Sequence, residues 1–188
     1  MRVQPFENIF VLCTGRCGST TFVQAARHAT NFTASHESRT HLAGALRLAY
    51  PSKHIEADNR LTWLLGRLDV TWGTRPLYVH LRRDAEETAQ SFAKRANQGI
   101  LLAYRTTILM GAAKRNTSTE MIDFCRDYVQ TVEQNIALFL RDKPHVTQVT
   151  LENAQTDFPN FWDRIGAEGD LDAAMAEWAV KHNASKSA

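Results

Sequence analysis

The chain has 188 residues, 44% of them hydrophobic and 22% charged, with a formal net charge of +2. That is long enough for one domain with a substantial core, and the composition is ordinary for a soluble globular protein. The charge balance excludes binding to nucleic acid or a membrane surface by bulk electrostatics, so a site for a polyanion has to be a local cluster. The three cysteines, Cys13, Cys17 and Cys125, are too few and too irregularly spaced for a disulfide framework or a zinc site, and the seven histidines show no metal-ligand spacing. The N-terminal stretch, with Pro5, Glu7 and an apolar run of only about five residues, reads neither as a signal peptide nor as a membrane span. A single domain over 1–188 in the cytoplasm is expected.

Ile9 to Cys13 is a short apolar run rich in β-formers and reads as a buried strand. Thr14 to Ser19 is small and polar, with Gly15 and Gly18 three apart, and Thr20 to His28 reads as a helix. Phe32 to Ser35 reads as a second strand that delivers His36 and Glu37 to its C-terminal end, where open parallel sheets bind ligands. Thr40 to Tyr50 is expected to be helical, closed by Pro51. His54 to Leu61 reads either as a strand or as a loop leading into a helix from Thr62 to Leu68.

Pro76 to Leu81, PLYVHL, reads as a central strand. Asp84 with Glu87 three residues later is a helix-start signature, and that helix is expected to reach about Asn97 and end at Gly99. Leu101 to Met110 reads as helical and Ala112 to Ser118 as a polar, basic loop. A long amphipathic helix follows from Thr119 to Arg141. Thr117 and Glu120 suit a capping box, and Met121, Phe124, Tyr128, Val132, Ile136 and Phe139 recur at helical spacing as a core stripe. Pro144 to Leu151 ends in a strand, a short helix covers Phe158 to Ile165, and a last helix starts near Asp170. Strands alternating with helices point to an α/β fold, a three-layer P-loop-like domain with a mainly parallel central sheet flanked by helices.

Most of the chemistry lies in Asn8 to His28, NIFVLCTGRCGSTTFVQAARH. A strand, a glycine turn and a helix point free backbone N–H groups at an anion. Arg16 adds a fixed charge, and Ser19, Thr20 and Thr21 add hydroxyl donors. The nucleotide-hydrolase loop places a lysine directly after its second glycine; here Ser19 follows Gly18 and the loop cation precedes it. Arg16-Cys17-Gly18-Ser19-Thr20-Thr21 instead resembles the 5′-phosphosulfate loop of the sulfotransferases, written Lys/Arg-x-Gly-Thr/Ser-Thr. The resemblance implies that Gly15, Arg16, Cys17, Gly18, Ser19, Thr20 and Thr21 bind the 5′ end of 3′-phosphoadenosine 5′-phosphosulfate (PAPS) as co-substrate, with Arg16 at the leaving phosphate oxygen and no obligatory metal.

A second stretch, YVHLRRDAEETAQSFAKR from Tyr78 to Arg95, strengthens the resemblance. In that family a strand ends in an arginine followed eight residues later by a serine, and the two bind the 3′-phosphate. Arg83 and Ser91 have that spacing, with Ala85 where the family usually has proline. Ser91 would lie about two turns along the helix from Arg83, where a guanidinium fork and a hydroxyl share one phosphate group. Val149 to Gly166 resembles the family's late strand and small helix.

In protein-tyrosine sulfotransferases, which the segment from Gly15 to Arg39 resembles, a glutamate 21 residues after the loop arginine acts as base. That position is Glu37. His36 is the other candidate, because other branches use histidine, and the structural alternative for Glu37 is a loop carboxylate paired with Arg39. The family's second catalytic lysine falls nearest Ala57, in Glu56-Ala57-Asp58-Asn59, so Lys53, His54 or Arg60 substitutes for it, or Arg16 acts without it, or the activity is weak or altered. The expected activity is transfer of a sulfuryl group from PAPS to an acceptor hydroxyl or amine. The alternatives are a small P-loop kinase or a non-catalytic nucleotide-binding module. The segments Arg39 to Trp72 and Gln98 to Ser118 are expected to shape the acceptor pocket, and their composition permits a small molecule, glycan, lipid or peptide.

Overall fold

The computed structural model describes residues 6–111, 119–180 and 182. Five parallel strands form one sheet in the order β2-β3-β1-β4-β5. They are β1 (Asn8–Leu12), β2 (Thr33–His36), β3 (His54–Ala57), β4 (Leu77–Arg82) and β5 (Val146–Thr150). Among the described residues seven α-helices flank them: α1 (Ser19–Ala26), α2 (Leu65–Trp72), α3 (Ala85–Ala93), α4 (Gly99–Ala103), α5 (Met121–Leu140), α6 (Ala154–Ile165) and α7 (Leu171–Ala176).

Every residue of β1 is buried, as a strand covered on both faces must be. Its alternate side chains feed two cores. Ile9 and Val11 join Phe22, Phe158, Phe161 and Trp162 on the face covered by α1, α6 and α7. Phe10 and Leu12 join Tyr78, Tyr128, Val132 and Ile136 on the face covered by α5. The chain lays β2 and β3 on one side of β1 and β4 and β5 on the other. The connections therefore diverge at the carboxyl end of β1, which is where an open α/β sheet offers its crevice.

Several boundaries differ from the sequence reading. The expected helix over Thr40 to Tyr50 is only a 3₁₀ turn, Gly44–Leu48. Gly44 takes φ +58°, which breaks the helical run, and Arg47 is drawn inward to the Asp58 carboxylate and the Tyr50 hydroxyl. The ambiguous piece from His54 resolves into β3 and a 3₁₀ turn, Asn59–Trp63, capped by the Asp58 carboxylate, which accepts from the Arg60 N–H. Helix α3 is capped by Asp84, which accepts from the Glu87 N–H at 2.9 Å, but it ends at Ala93, and Gly99 opens α4 instead of closing α3. Helix α4 runs into a π-helical turn, Tyr104–Ile108. Helix α6 begins four residues earlier than expected and carries Pro159 in its interior. Thr117 and the loop over 112–118 lie outside the described residues; Glu120 is the N-cap of α5 and makes no side-chain cap bond. Among the described residues no helix is long and apolar enough to cross a membrane.

Candidate active site

The loop after β1 is held open by backbone geometry and tethered on two sides. Gly15, Arg16 and Gly18 take φ +81°, +58° and +90°, so three of four consecutive residues sit in the left-handed region. Only glycine does so without strain, and at Arg16 the strain marks a conformation imposed by its surroundings. A Cβ on Gly15 would stand 2.5 Å from Asn59 Nδ2, and one on Gly18 2.9 Å from Leu151 Cδ1. The Tyr128 hydroxyl, from the middle of α5, donates to the Thr14 carbonyl at 2.8 Å, and Arg83 Nη1 donates to the Arg16 carbonyl at 3.3 Å. Burial pushes the Tyr128 phenol far above its ordinary pKa, which keeps the proton that makes this bond.

The loop forms the floor of a cleft of ≈ 540 Å³. Gly15, Arg16, Gly18, Ser19, Thr20, Thr21, His36, Glu37, Arg83 and Ser91 all line it, so the two distant sequence motifs meet in one place. The contact is direct: Arg16 Nε donates to Ser91 Oγ at 3.1 Å. The cleft also gathers positive charge. Burial, with the Arg95 and Arg83 guanidiniums nearby, pushes the Arg16 pKa down from its ordinary value. Cations crowded together in this way favour an anion between them. Cys17 is the exception among the loop residues. Its side chain is fully buried in the α1-side core, so only its backbone belongs to the loop. The hydrogen bond with Cys17, and burial after it, push the Cys13 thiol above its usual range.

The β2 end supplies His36 and Glu37. His36 Nε2 lies 2.9 Å from Ser19 Oγ, at the first turn of α1. Glu37 takes φ +52°, and its N–H donates to the Ala57 carbonyl at 2.9 Å. The next residue, Ser38, gives both its N–H and its hydroxyl to the buried Glu56 carboxylate, which fixes the turn. The Glu37 carboxylate pairs with Arg60 at 2.5 Å and not with Arg39, which donates to the Leu46 carbonyl and lies over the Tyr50 ring.

Of the three residues weighed against the missing lysine, only Arg60 adjoins this group. Lys53 Nζ donates to the Phe6 carbonyl at the opposite end of the sheet, and buried His54 lies between the Glu56 carboxylate and the Thr33 hydroxyl. Ala57 itself is fully buried.

Several lining residues escaped the sequence reading. Asn59 sits against Gly15, and its Oδ1 is buried with no partner among the described residues. Glu87 and Gln90 line the cleft from α3 together with Ser91, and Lys94 does so from just past the helix end. From the C-terminal segment come Trp178, Val180 and His182. Trp178 packs on Phe22 and Phe158 while its indole Nε1 is buried without a partner among the described residues. Glu177 holds this segment by accepting from His182 at 2.7 Å and from His28 at 3.2 Å, and those bonds lower its carboxyl pKa.

No family model and no curated protein sequence matches the chain. Solved structures do. A sulfotransferase domain from the curacin biosynthetic pathway aligns with a TM-score of 0.62 at 13% identity, over 90% of this chain and 77% of that one. The mouse sulfotransferase SULT7A1, solved in complex with PAP, aligns with a TM-score of 0.57 at 12% identity, over 91% of this chain and 61% of that one. With its all-parallel five-stranded sheet and helices on both faces, the chain has the fold of the PAPS-dependent sulfotransferases.

Proposed function

We propose that the protein is a sulfotransferase that uses PAPS and an acceptor hydroxyl or amine. The observation that carries this reading is the meeting of Arg16 and Arg83, each from its own motif, with Ser91 in one cleft. The cleft fits a doubly anionic adenosine. Its floor is a glycine cradle that a Cβ would obstruct, and Arg16 and Arg83 line it with Arg95 close by. Burial and these neighbours push the Arg16 pKa down, and two buried polar atoms, Asn59 Oδ1 and Trp178 Nε1, have no partner among the described residues. When bound, PAPS supplies the sulfuryl group: the S–O bond to its 5′-phosphate breaks as a new S–O bond to an acceptor hydroxyl, or S–N bond to an acceptor amine, forms.

The protein's own residues then have separable tasks. The N–H groups of Gly18, Ser19 and Thr20 and the Arg16 guanidinium hold negative charge at the loop. Arg83 and Ser91 hold the 3′-phosphate. Arg83 donates to Glu87 at 3.0 Å in an exposed i,i+4 pair. Such a pair is worth about 0.3–0.5 kcal/mol, against about 1.5–3 kcal/mol for a hydrogen bond to a charged group, so a phosphate displaces it readily. Glu37 takes the acceptor's proton, and Arg60 fixes the position of its carboxylate. His36 positions the Ser19 hydroxyl.

Transfer of labelled sulfate from PAPS across alcohol, phenol, sugar, amine and peptide acceptors tests this reading, with thermal shift against 3′,5′-adenosine bisphosphate (PAP) and against ATP with magnesium alongside. Stabilisation by PAP together with transfer is the expected result. Stabilisation by PAP with no transfer to any acceptor would favour a nucleotide-binding module, for which the buried Ala57 speaks; stabilisation by ATP alone would favour a kinase.

A further inference from the structure

A second pocket lies outside the charged cleft. It has ≈ 230 Å³ of space and is lined by Trp63, Ile100, Ala103, Tyr104, Thr107 and Ile108. These residues come from the two segments that flank the donor elements in sequence, one before β4 and one after α3. The volume is that of a single ring with small substituents, because a cavity of about 150 Å³ already admits benzene.

The pocket is closed to charge. Tyr104 directs its hydroxyl away, donating to the Asp127 carboxylate at 2.5 Å, with Thr131 Oγ1 at 3.3 Å. Arg105, its neighbour, is buried and committed elsewhere: Nη2 donates to the Ala96 carbonyl and Asn97 Oδ1, and Nη1 to Met121 Sδ. The Trp63 indole Nε1 is buried with no partner among the described residues. The lining residue Ile108 is 54% exposed, so apolar surface faces solvent where an acceptor would enter.

Two connections tie this pocket to the donor site. Trp63 ends the 3₁₀ turn that begins at Asn59. Side chains three apart on such a turn eclipse one another at a spacing of about 6 Å, so Trp63 stands one turn from Arg60 on the same side. Arg60 in turn holds Glu37. On the other wall, the Tyr104 ring packs at 6.0 Å from Trp63 and 5.3 Å from Tyr128, whose hydroxyl anchors the phosphate loop. The pocket is therefore one residue removed from the loop, through Tyr128, and one turn from the residue that holds the Glu37 carboxylate, Arg60. A π-turn supplies Tyr104, Thr107 and Ile108, with the Leu109 N–H reaching the Tyr104 carbonyl at 2.9 Å; single π-turns recur at functional sites.

We infer that this pocket receives the acceptor, and that the acceptor is a compact uncharged alcohol or phenol whose apolar body fills the Trp63–Tyr104 pocket while its hydroxyl faces Glu37. This rests on the sulfotransferase reading. It sets aside sugars, which would bury hydroxyls against apolar walls, and acidic peptides, whose carboxylates would find no cation there.

The test uses the full chain and three acceptors: 4-methylphenol, glucose and an acidic tyrosine peptide. PAP-induced thermal stabilisation is measured first. Sulfate transfer from PAPS is then followed, together with calorimetric binding of 4-methylphenol to the PAP-saturated protein. The same measurements are made on Ala103→Phe and the milder Ala103→Leu; Ala103 is exposed, so either side chain has room to fold. The inference expects transfer to 4-methylphenol in preference to the other two, and a KM raised about 10-fold or more by Ala103→Phe, in line with the cost of misfitting an apolar pocket. It expects binding of 4-methylphenol to weaken in parallel, while the PAP shift stays as in the wild type. Preference for glucose or the peptide, or unchanged 4-methylphenol binding in both variants beside a normal PAP shift, would overturn the inference and leave the donor reading standing. Absence of any PAP shift in the wild type would overturn both.

Discussion

The charged cleft and the apolar pocket are built by opposite means. In the cleft, geometry is forced. Three residues of the loop take positive φ, and Tyr128, Arg83 and Asn59 press on it from three separate elements. Its guanidiniums repel one another and gain from an anion. In the pocket nothing is forced. Its walls are ring and aliphatic contacts between an irregular turn and a short helix, and its polar groups point elsewhere. A site for a constant, highly charged donor is rigid, and a site for a variable partner rests on non-directional packing that substitution can reshape.

That contrast yields predictions of graded size. Glu37→Gln removes the proton acceptor and should lower kcat by about 10²–10⁴-fold, the usual range for general base catalysis, while the PAP thermal shift is retained. Full activity in steady-state assays would remove Glu37 from the base role. Arg16→Ala should lower kcat by about 10²–10³-fold, as loss of one donor at a developing charge does elsewhere. Because Arg16 sits among like charges, this variant should unfold at an unchanged or higher temperature without nucleotide, which differential scanning calorimetry reads directly. Tyr128→Phe should destabilise the fold by about 1–3 kcal/mol in urea titration, since the buried Thr14 carbonyl loses its donor, and should weaken PAP binding with little effect on KM for the acceptor. Trp63→Phe should have the smallest effect, a few-fold rise in acceptor KM with PAP binding intact.

The same contrast explains what the sequence revealed. The strand-loop-helix unit at Asn8 to Ala26 and the Asp84 cap of α3 were legible because each is a local device, with its partners within a few residues. Arg83 and Ser91 were legible through spacing along a strand end and one helix. Lys94, three residues beyond Ser91, follows the same periodicity and went unassigned because the motif stops at the serine.

What stayed hidden depends on contacts between distant segments. Nothing near Glu37 in the sequence points to Arg60 as its partner, since the pairing requires β2 and β3 to lie side by side. Trp178 and His182 reach the cleft through long-range contacts, Trp178 on the Phe22 and Phe158 rings and Glu177 on His28 just past α1. The helix expected over Thr40 to Tyr50 failed for the same reason: Arg47 answers to buried Asp58, and Gly44 breaks the run. The segments that bound the apolar pocket were anticipated, but which of their residues face it could not be read without the π-turn.

The central claim is that Arg16 and Arg83 clamp the two ends of one doubly anionic adenosine. Thermal shift with PAP and with 5′-AMP, which lacks the 3′-phosphate, tests it most directly when run on the wild type and on Arg83→Ala. The wild type should be stabilised more by PAP than by 5′-AMP, and Arg83→Ala should respond to both alike. Equal stabilisation of the wild type by the two nucleotides, or a preference for PAP that survives in Arg83→Ala, would contradict it.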